Sequence, residues 1–118
     1  MTQKERAEAF AALHRKGEPI VLYNIWDAGS ARAVADTGAP ALATGSWSVA
    51  AAQGFQDGEA VPLDVVEQVT RHITGAVEVP VSIDFEGGYA EAPEAVAQNV
   101  ARIIIDRPLM PSSDVTTP

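Results

Sequence analysis

The chain of 118 residues is 47% hydrophobic and carries a formal net charge of −8, so it suits one small globular domain and is too apolar for a disordered segment. The acidic balance argues against nucleic acid or an anionic membrane surface as a partner, because no surplus of cations is available to neutralise phosphates. The chain has no cysteine, which excludes disulfides, thiolate zinc sites and a cysteine nucleophile, and no apolar run approaches the ~20 residues of a membrane span. A polar segment follows Met1 in place of an apolar signal core, so we expect a cytoplasmic protein.

The first half of the chain alternates predicted helices and strands. Residues 2–16 predict a helix, which Gly17 ends. The apolar run 19–24 has strand length and is typical of a parallel strand that is buried on both faces. An alanine-rich helix follows over residues 28–37, and a second short strand is predicted over residues 41–44.

The second half repeats the alternation. A predicted loop with an Asp57-Gly58 turn leads to residues 63–77, where apolar residues recur at helical spacing. Residues 79–85 predict the third strand, and Pro93 opens a further helix. This alternation predicts an α/β fold with a parallel sheet and right-handed crossovers.

Two carboxylates, Asp84 and Glu86, follow the third predicted strand, and the strand then breaks at a pair of glycines. Side chains two apart on a strand point the same way, so we expect both carboxylates on one side of the strand end. Such a pair suits a hard cation such as Mg²⁺, held by a few oxygens and several waters. The alternative is that one carboxylate caps the next helix and the other is a solvated loop charge.

Four motifs occur in order along the chain: NIWDAGSAR from Asn24, ATGS from Ala43, GFQDGE from Gly54 and PVSIDFEGGY from Pro80. Each motif is weak alone, but their order and spacing resemble the isocitrate lyase/phosphoenolpyruvate mutase superfamily. The resemblance is to its small bacterial phosphonomutase-like members in particular, and it extends over residues 5–104.

The resemblance implies the N-terminal part of a (β/α)8 TIM barrel, with the active site at the C-terminal ends of the strands. It implies a lyase or mutase that acts, with Mg²⁺, on C–C or P–C bonds of small 2-oxo acids or related carboxylates. In that site Asp84 resembles the carboxylate nearest the metal, and Glu86 and Asp57 resemble partners that act mostly through metal-bound water. Ser46 and the backbone N–H of Trp47 resemble the groups that receive the substrate carboxylate or enolate oxygen.

Other interpretations of these residues stay open. Asp27 precedes a helix and suits its N-cap, which we favour over a role in the site. Ser46 lies where small turn residues are common, and Asp57 before Gly58 is an ordinary turn pattern. We expect Tyr89 to anchor its loop.

The length departs from the family pattern, because a full barrel needs about 200 residues or more. We therefore expect residues 1–106 to form a partial barrel and residues 107–118 to form an irregular tail unlike the family. On this basis the chain alone is expected to be inactive, and a family-type homo-oligomer would need the complete barrel. Two alternatives remain: a truncated, non-catalytic remnant, and a small flavodoxin-like switch domain, which would need about five strands.

Overall fold

A computed structural model describes residues 1–104, and the predicted tail 107–118 lies outside the described residues. The described part contains five helices and a three-stranded sheet. In chain order the elements are α1 (Gln3–Ala12), β1 (Asn24–Ile25), α2 (Ala28–Ala35), β2 (Leu42–Thr44), α3 (Ser46–Ala52), α4 (Leu63–Ala76), β3 (Val81–Ser82) and α5 (Pro93–Ile103). No helix of residues 1–104 has the length and apolar character needed to cross a membrane.

The sheet formed by these residues is parallel, and its strands lie in the order in which they occur along the chain, β1-β2-β3. A flavodoxin-like sheet would place its first strand between the second and the third. Sequential neighbours are instead the arrangement of a barrel wall, in which each βα unit adds the next strand on the same side. The flavodoxin-like alternative is therefore wrong.

The main core lies between the sheet and the pair of helices α2 and α4. Ile25, Leu42 and Ile73 are completely buried there. Full burial of such side chains contributes about 1.5–3 kcal/mol each. A second cluster, which includes Ala50, Val61, Val66 and Ile103, lies beneath the loops that follow β2 and β3. These loops therefore rest on packed helices, which positions the polar residues at the strand ends.

Several expectations about local structure are wrong: α1 ends at Ala12 and not at Lys16, and β3 covers only Val81–Ser82 of the predicted 79–85. The first strand covers only Asn24–Ile25, and within the predicted run 19–24 the side chains of Val21 and Tyr23 are 65% and 63% exposed. β1 is an edge of the described sheet. The carbonyl of Tyr23 still accepts the amide of Ala43 (3.3 Å), but the side chains of these apolar residues are not covered on both faces. The predicted loop after β2 begins with the helix α3, a seven-residue element without a side-chain N-cap.

Candidate active site

Asp84 lies where the ends of two strands meet, and three hydrogen bonds hold it. Its amide donates to the hydroxyl of Thr44 (3.0 Å), the buried last residue of β2. Its carboxylate accepts the amide of Ser46 at Oδ2 (3.3 Å) and the amide of Glu86 at Oδ1 (3.1 Å). Asp84 thus joins the start of α3 to the loop that follows β3.

Glu86 is not placed by strand alternation, contrary to expectation. β3 ends at Ser82, and the backbone of Glu86 has a φ of 54°, in the left-handed region. The turn carries the exposed Glu86 carboxylate toward the loop that contains Asp57. There Oε1 accepts the amides of Gly58 and Glu59, each at 3.1 Å, and Oε2 accepts the Glu59 amide at 3.2 Å.

The turn of Asp57 therefore lies against Glu86, although the Asp57 carboxylate itself accepts the amide of Gly58 at 2.9 Å. That bond is the ordinary turn role that the sequence also allowed. Within residues 1–104 no group of three or more His, Cys, Asp or Glu side chains is arranged to hold a metal ion. A three-carboxylate magnesium site made of Asp57, Asp84 and Glu86 thus stays a prediction.

Ser46 and Trp47 form the first turn of α3. The Trp47 side chain is 70% exposed. Ser46, Asp84 and Glu86 line one small cavity of about 20 Å³, closed below by apolar residues of α4. A cavity of this size holds about one water molecule. An oxo acid would therefore have to bind on the open side of these residues.

Tyr89 anchors its loop, as expected. Its amide donates to Oε2 of Glu59 (3.0 Å), and its ring packs against Phe85 with centroids 5.3 Å apart. Burial, followed by the negative charges of Glu86 and Glu59, raises the pKa of Tyr89 to about 12. The phenol therefore stays protonated at neutral pH, with its oxygen 3.5 Å from Oε2 of Glu86.

Glu59 is a residue to which sequence reasoning gave no role. Its Oε2 accepts the amides of both Gly87 (2.9 Å) and Tyr89 (3.0 Å). The glycine pair signals a turn, but nothing local in the sequence indicates which side chain reaches the amides of that turn. The expectation for Asp27 is confirmed, because Oδ1 accepts the Ser30 amide at 2.7 Å in a capping box at the start of α2.

Comparison with known proteins agrees with the family resemblance of the sequence. The sequence model of the phosphoenolpyruvate phosphomutase family matches residues 10–106. A structure from Burkholderia cenocepacia J2315, assigned as a phosphonomutase, is 55% identical and superposes with a TM-score of 0.82 over 85% of this chain and 40% of that one. A second structure from the same organism, assigned as a lyase/mutase, is 40% identical, with a TM-score of 0.77 over 86% of this chain and 36% of that one.

A curated, uncharacterised protein of Mycobacterium tuberculosis is 34% identical over 95 residues, which are 80% of this chain. That match covers 36% of the relative's length. The chain thus spans 36–40% of the relatives that it resembles. Its described elements correspond to part of their TIM-barrel-like fold, as the resemblance implied.

Proposed function

The chain belongs to the phosphoenolpyruvate phosphomutase family, and on this premise we propose that it supplies one corner of a Mg²⁺-dependent site for lyase or mutase chemistry. The substrates proposed are small cytoplasmic 2-oxo acids or related carboxylates, cleaved or formed at a C–C or P–C bond. The observation that carries the proposal is the Asp84 junction, where one exposed carboxylate meets the amides of Ser46 and Glu86.

The donor chemistry at this junction fits Mg²⁺, which prefers carboxylate oxygens and retains several waters. A carboxylate offers about four lone-pair sites, and Asp84 uses two of them in hydrogen bonds within the described residues. Glu86 already accepts two amides and lies close to the Tyr89 hydroxyl, which favours a role through water. Asp84 would therefore hold the ion directly and Glu86 would hold one of its waters.

The proposed chemistry explains why these residue types are needed. Breaking a bond next to a carbonyl leaves negative charge on the oxo oxygen, and fixed N–H donors stabilise that charge as it develops. We assign this role to the backbone N–H of Trp47 and to Ser46 at the start of α3; because the Ser46 amide donates to Asp84, its hydroxyl is the remaining donor. Mg²⁺, when bound, would supply positive charge at the same oxygen.

The test measures pyruvate release from oxaloacetate, corrected for the background with Mg²⁺ alone. We expect the 118-residue chain to bind Mg²⁺ weakly at best and to give no turnover, because the three strands of residues 1–104 do not enclose a substrate. Joining it to the remaining strands of the 55% identical Burkholderia relative should produce Mg²⁺-dependent turnover. Asp84→Ala in the joined protein should abolish turnover and leave the circular dichroism spectrum unchanged.

A non-catalytic remnant is the second candidate. The observation that favours it is that, within residues 1–104, no three His, Cys, Asp or Glu side chains are arranged to hold a metal ion. Failure of the joined protein to turn over oxaloacetate, phosphonopyruvate or 2-methylisocitrate would support this candidate. Turnover by the 118-residue chain alone, lost on Asp84→Ala, would exclude it.

A further inference from the structure

Two loops near the proposed site exchange hydrogen bonds in both directions. The carboxylate of Glu86 accepts the amides of Gly58 and Glu59, and the carboxylate of Glu59 accepts the amides of Gly87 and Tyr89. Each glutamate therefore binds the turn that carries the other glutamate. We name these two carboxylates and four amides the reciprocal latch.

The backbone is shaped to allow this exchange. The non-glycine residues with positive φ in the described part are Glu59 (63°), Glu86 (54°) and Tyr89 (59°), and all of them belong to the latch. Such conformations persist when surrounding contacts over-determine them. A Cβ atom at Gly87 would lie 3.1 Å from Oε2 of Glu59, so the approach of that carboxylate also depends on the glycine.

The latch continues into the Asp84 junction. The Glu86 amide donates to Oδ1 of Asp84, whose Oδ2 accepts the amide of Ser46. The chain of hydrogen bonds thus runs from Glu59, through the loop after β3, to the start of α3. A residue that holds the turn around Glu86 therefore also fixes the Glu86 amide that donates to Asp84.

We propose that Glu59 is a positioning residue, which acts through Glu86 to hold the loop after β3 against the turn of Asp57. The inference rests on the proposed function for the roles of Asp84 and Glu86. Glu59 itself makes no direct contact with the cavity beside Asp84, which Glu86 lines. Its contribution is to keep the loop after β3 in one conformation.

Hydrogen exchange followed by mass spectrometry tests the latch on the chain as it is, without metal. Peptides covering residues 55–61 and 84–90 report its two sides. Glu59→Ala should speed exchange in both segments, including 55–61, where the amides of Gly58 and Glu59 bond to the Glu86 carboxylate and not to that of Glu59. Glu59→Gln keeps an acceptor oxygen and should restore slow exchange in both.

Two further variants separate the side chain from other effects. Glu59→Gly suits the positive φ but removes the carboxylate, so it should match Glu59→Ala. Glu91→Ala removes a nearby exposed carboxylate that has no side-chain hydrogen bond or ion pair within residues 1–104, and it should change neither segment. Faster exchange confined to 84–90 in Glu59→Ala, or failure of Glu59→Gln to restore it, would overturn the proposal.

Repeating the exchange with excess Mg²⁺ separates the latch from the proposed function. In the joined protein, slower exchange at 84–90 on adding Mg²⁺ should occur with Glu59 present, disappear in Glu59→Ala and return in Glu59→Gln. A Mg²⁺ effect of equal size in Glu59→Ala would overturn the positioning role. Absence of any Mg²⁺ effect in the joined protein counts against the metal proposal alone, and the metal-free coupling in the 118-residue chain then decides the latch.

Discussion

At the scale of single residues, Gly88 is constrained both by its backbone and by its packing. It is buried with a φ of 80°, and a Cβ atom there would lie 2.6 Å from Cγ1 of Val96 in α5. The left-handed conformation costs a residue with a Cβ atom roughly 1–2 kcal/mol. Overpacking against α5 adds about 1–3 kcal/mol. We therefore expect Gly88→Ala to lower the free energy of unfolding by the sum of both effects, as measured by urea denaturation.

Gly38→Ala is the matched control for this prediction. Gly38 has a φ of 95°, but a Cβ atom added there would meet nothing within 4 Å. Gly38→Ala should lower the free energy of unfolding only by the backbone cost of roughly 1–2 kcal/mol. Equal losses in the two variants would show that α5 moves aside without cost, contrary to the tight contact with Val96.

The residue scale also shows what a single sequence can reveal. Asp27 was predicted as an N-cap because the chemistry of a cap is local: an acceptor side chain next to free amides. Glu59 was not predicted, because its partners lie 28 and 30 residues away on another loop. Asp84 and Glu86 were predicted to lie together because side chains two apart on a strand point the same way. That reason fails at Glu86, where the backbone has left the extended conformation.

At the scale of elements, helices with a clear apolar period were predicted well. α4 and α5 follow the spacing of Val66, Val69, Ile73 and Ile103, which are buried. α3 was missed because seven residues rich in alanine carry no period and Gly45 supplies no side-chain cap. The first strand was predicted too long, because the apolar character of a segment does not show whether a neighbouring strand is present to cover it.

The attachment of α1 to the rest of the fold makes a prediction at this scale. α1 buries none of its residues, but the guanidinium of Arg6 donates to the carbonyls of Thr74 and Val77, each at 3.0 Å. These carbonyls lie at the C-terminal end of α4, where helix carbonyls lack partners and a positive charge is favourable. A charged hydrogen bond contributes about 1.5–3 kcal/mol, and partial exposure reduces this, so we expect Arg6→Ala to cost about 1–2 kcal/mol.

Hydrogen exchange over residues 3–12, together with urea denaturation, measures this loss. Alanine is a better helix former than arginine, so a loss cannot come from a weaker helix. Lys4→Ala in the same helix removes only an exposed pair with Glu8 at 3.6 Å and should cost less than about 1 kcal/mol. Similar effects of the two substitutions would mean that the Arg6 bonds do not hold α1 in place.

At the scale of the whole molecule, the sheet of residues 1–104 leaves both of its edges unpaired by described residues. A groove of about 560 Å³ lies between the segments that precede β1 and β2, and it includes the exposed Val21 and Tyr23. A second cavity of about 220 Å³ lies beside β3 and reaches the exposed Ile104. The relatives continue well beyond the matched part, since this chain spans only 40% and 36% of the two Burkholderia structures.

Open strand edges and contiguous apolar surface favour association between copies. We therefore expect the purified chain to be oligomeric or poorly soluble, with a broad thermal transition, when measured by light scattering and calorimetry. Val21→Lys in the groove and Ile104→Lys in the cavity beside β3 should each raise the monomer fraction. Ala33→Lys adds the same charge on the exposed face of α2 and should not. A monomeric parent chain with a sharp, cooperative transition would contradict the prediction, because it would show that the chain is stable without the strands of a complete barrel.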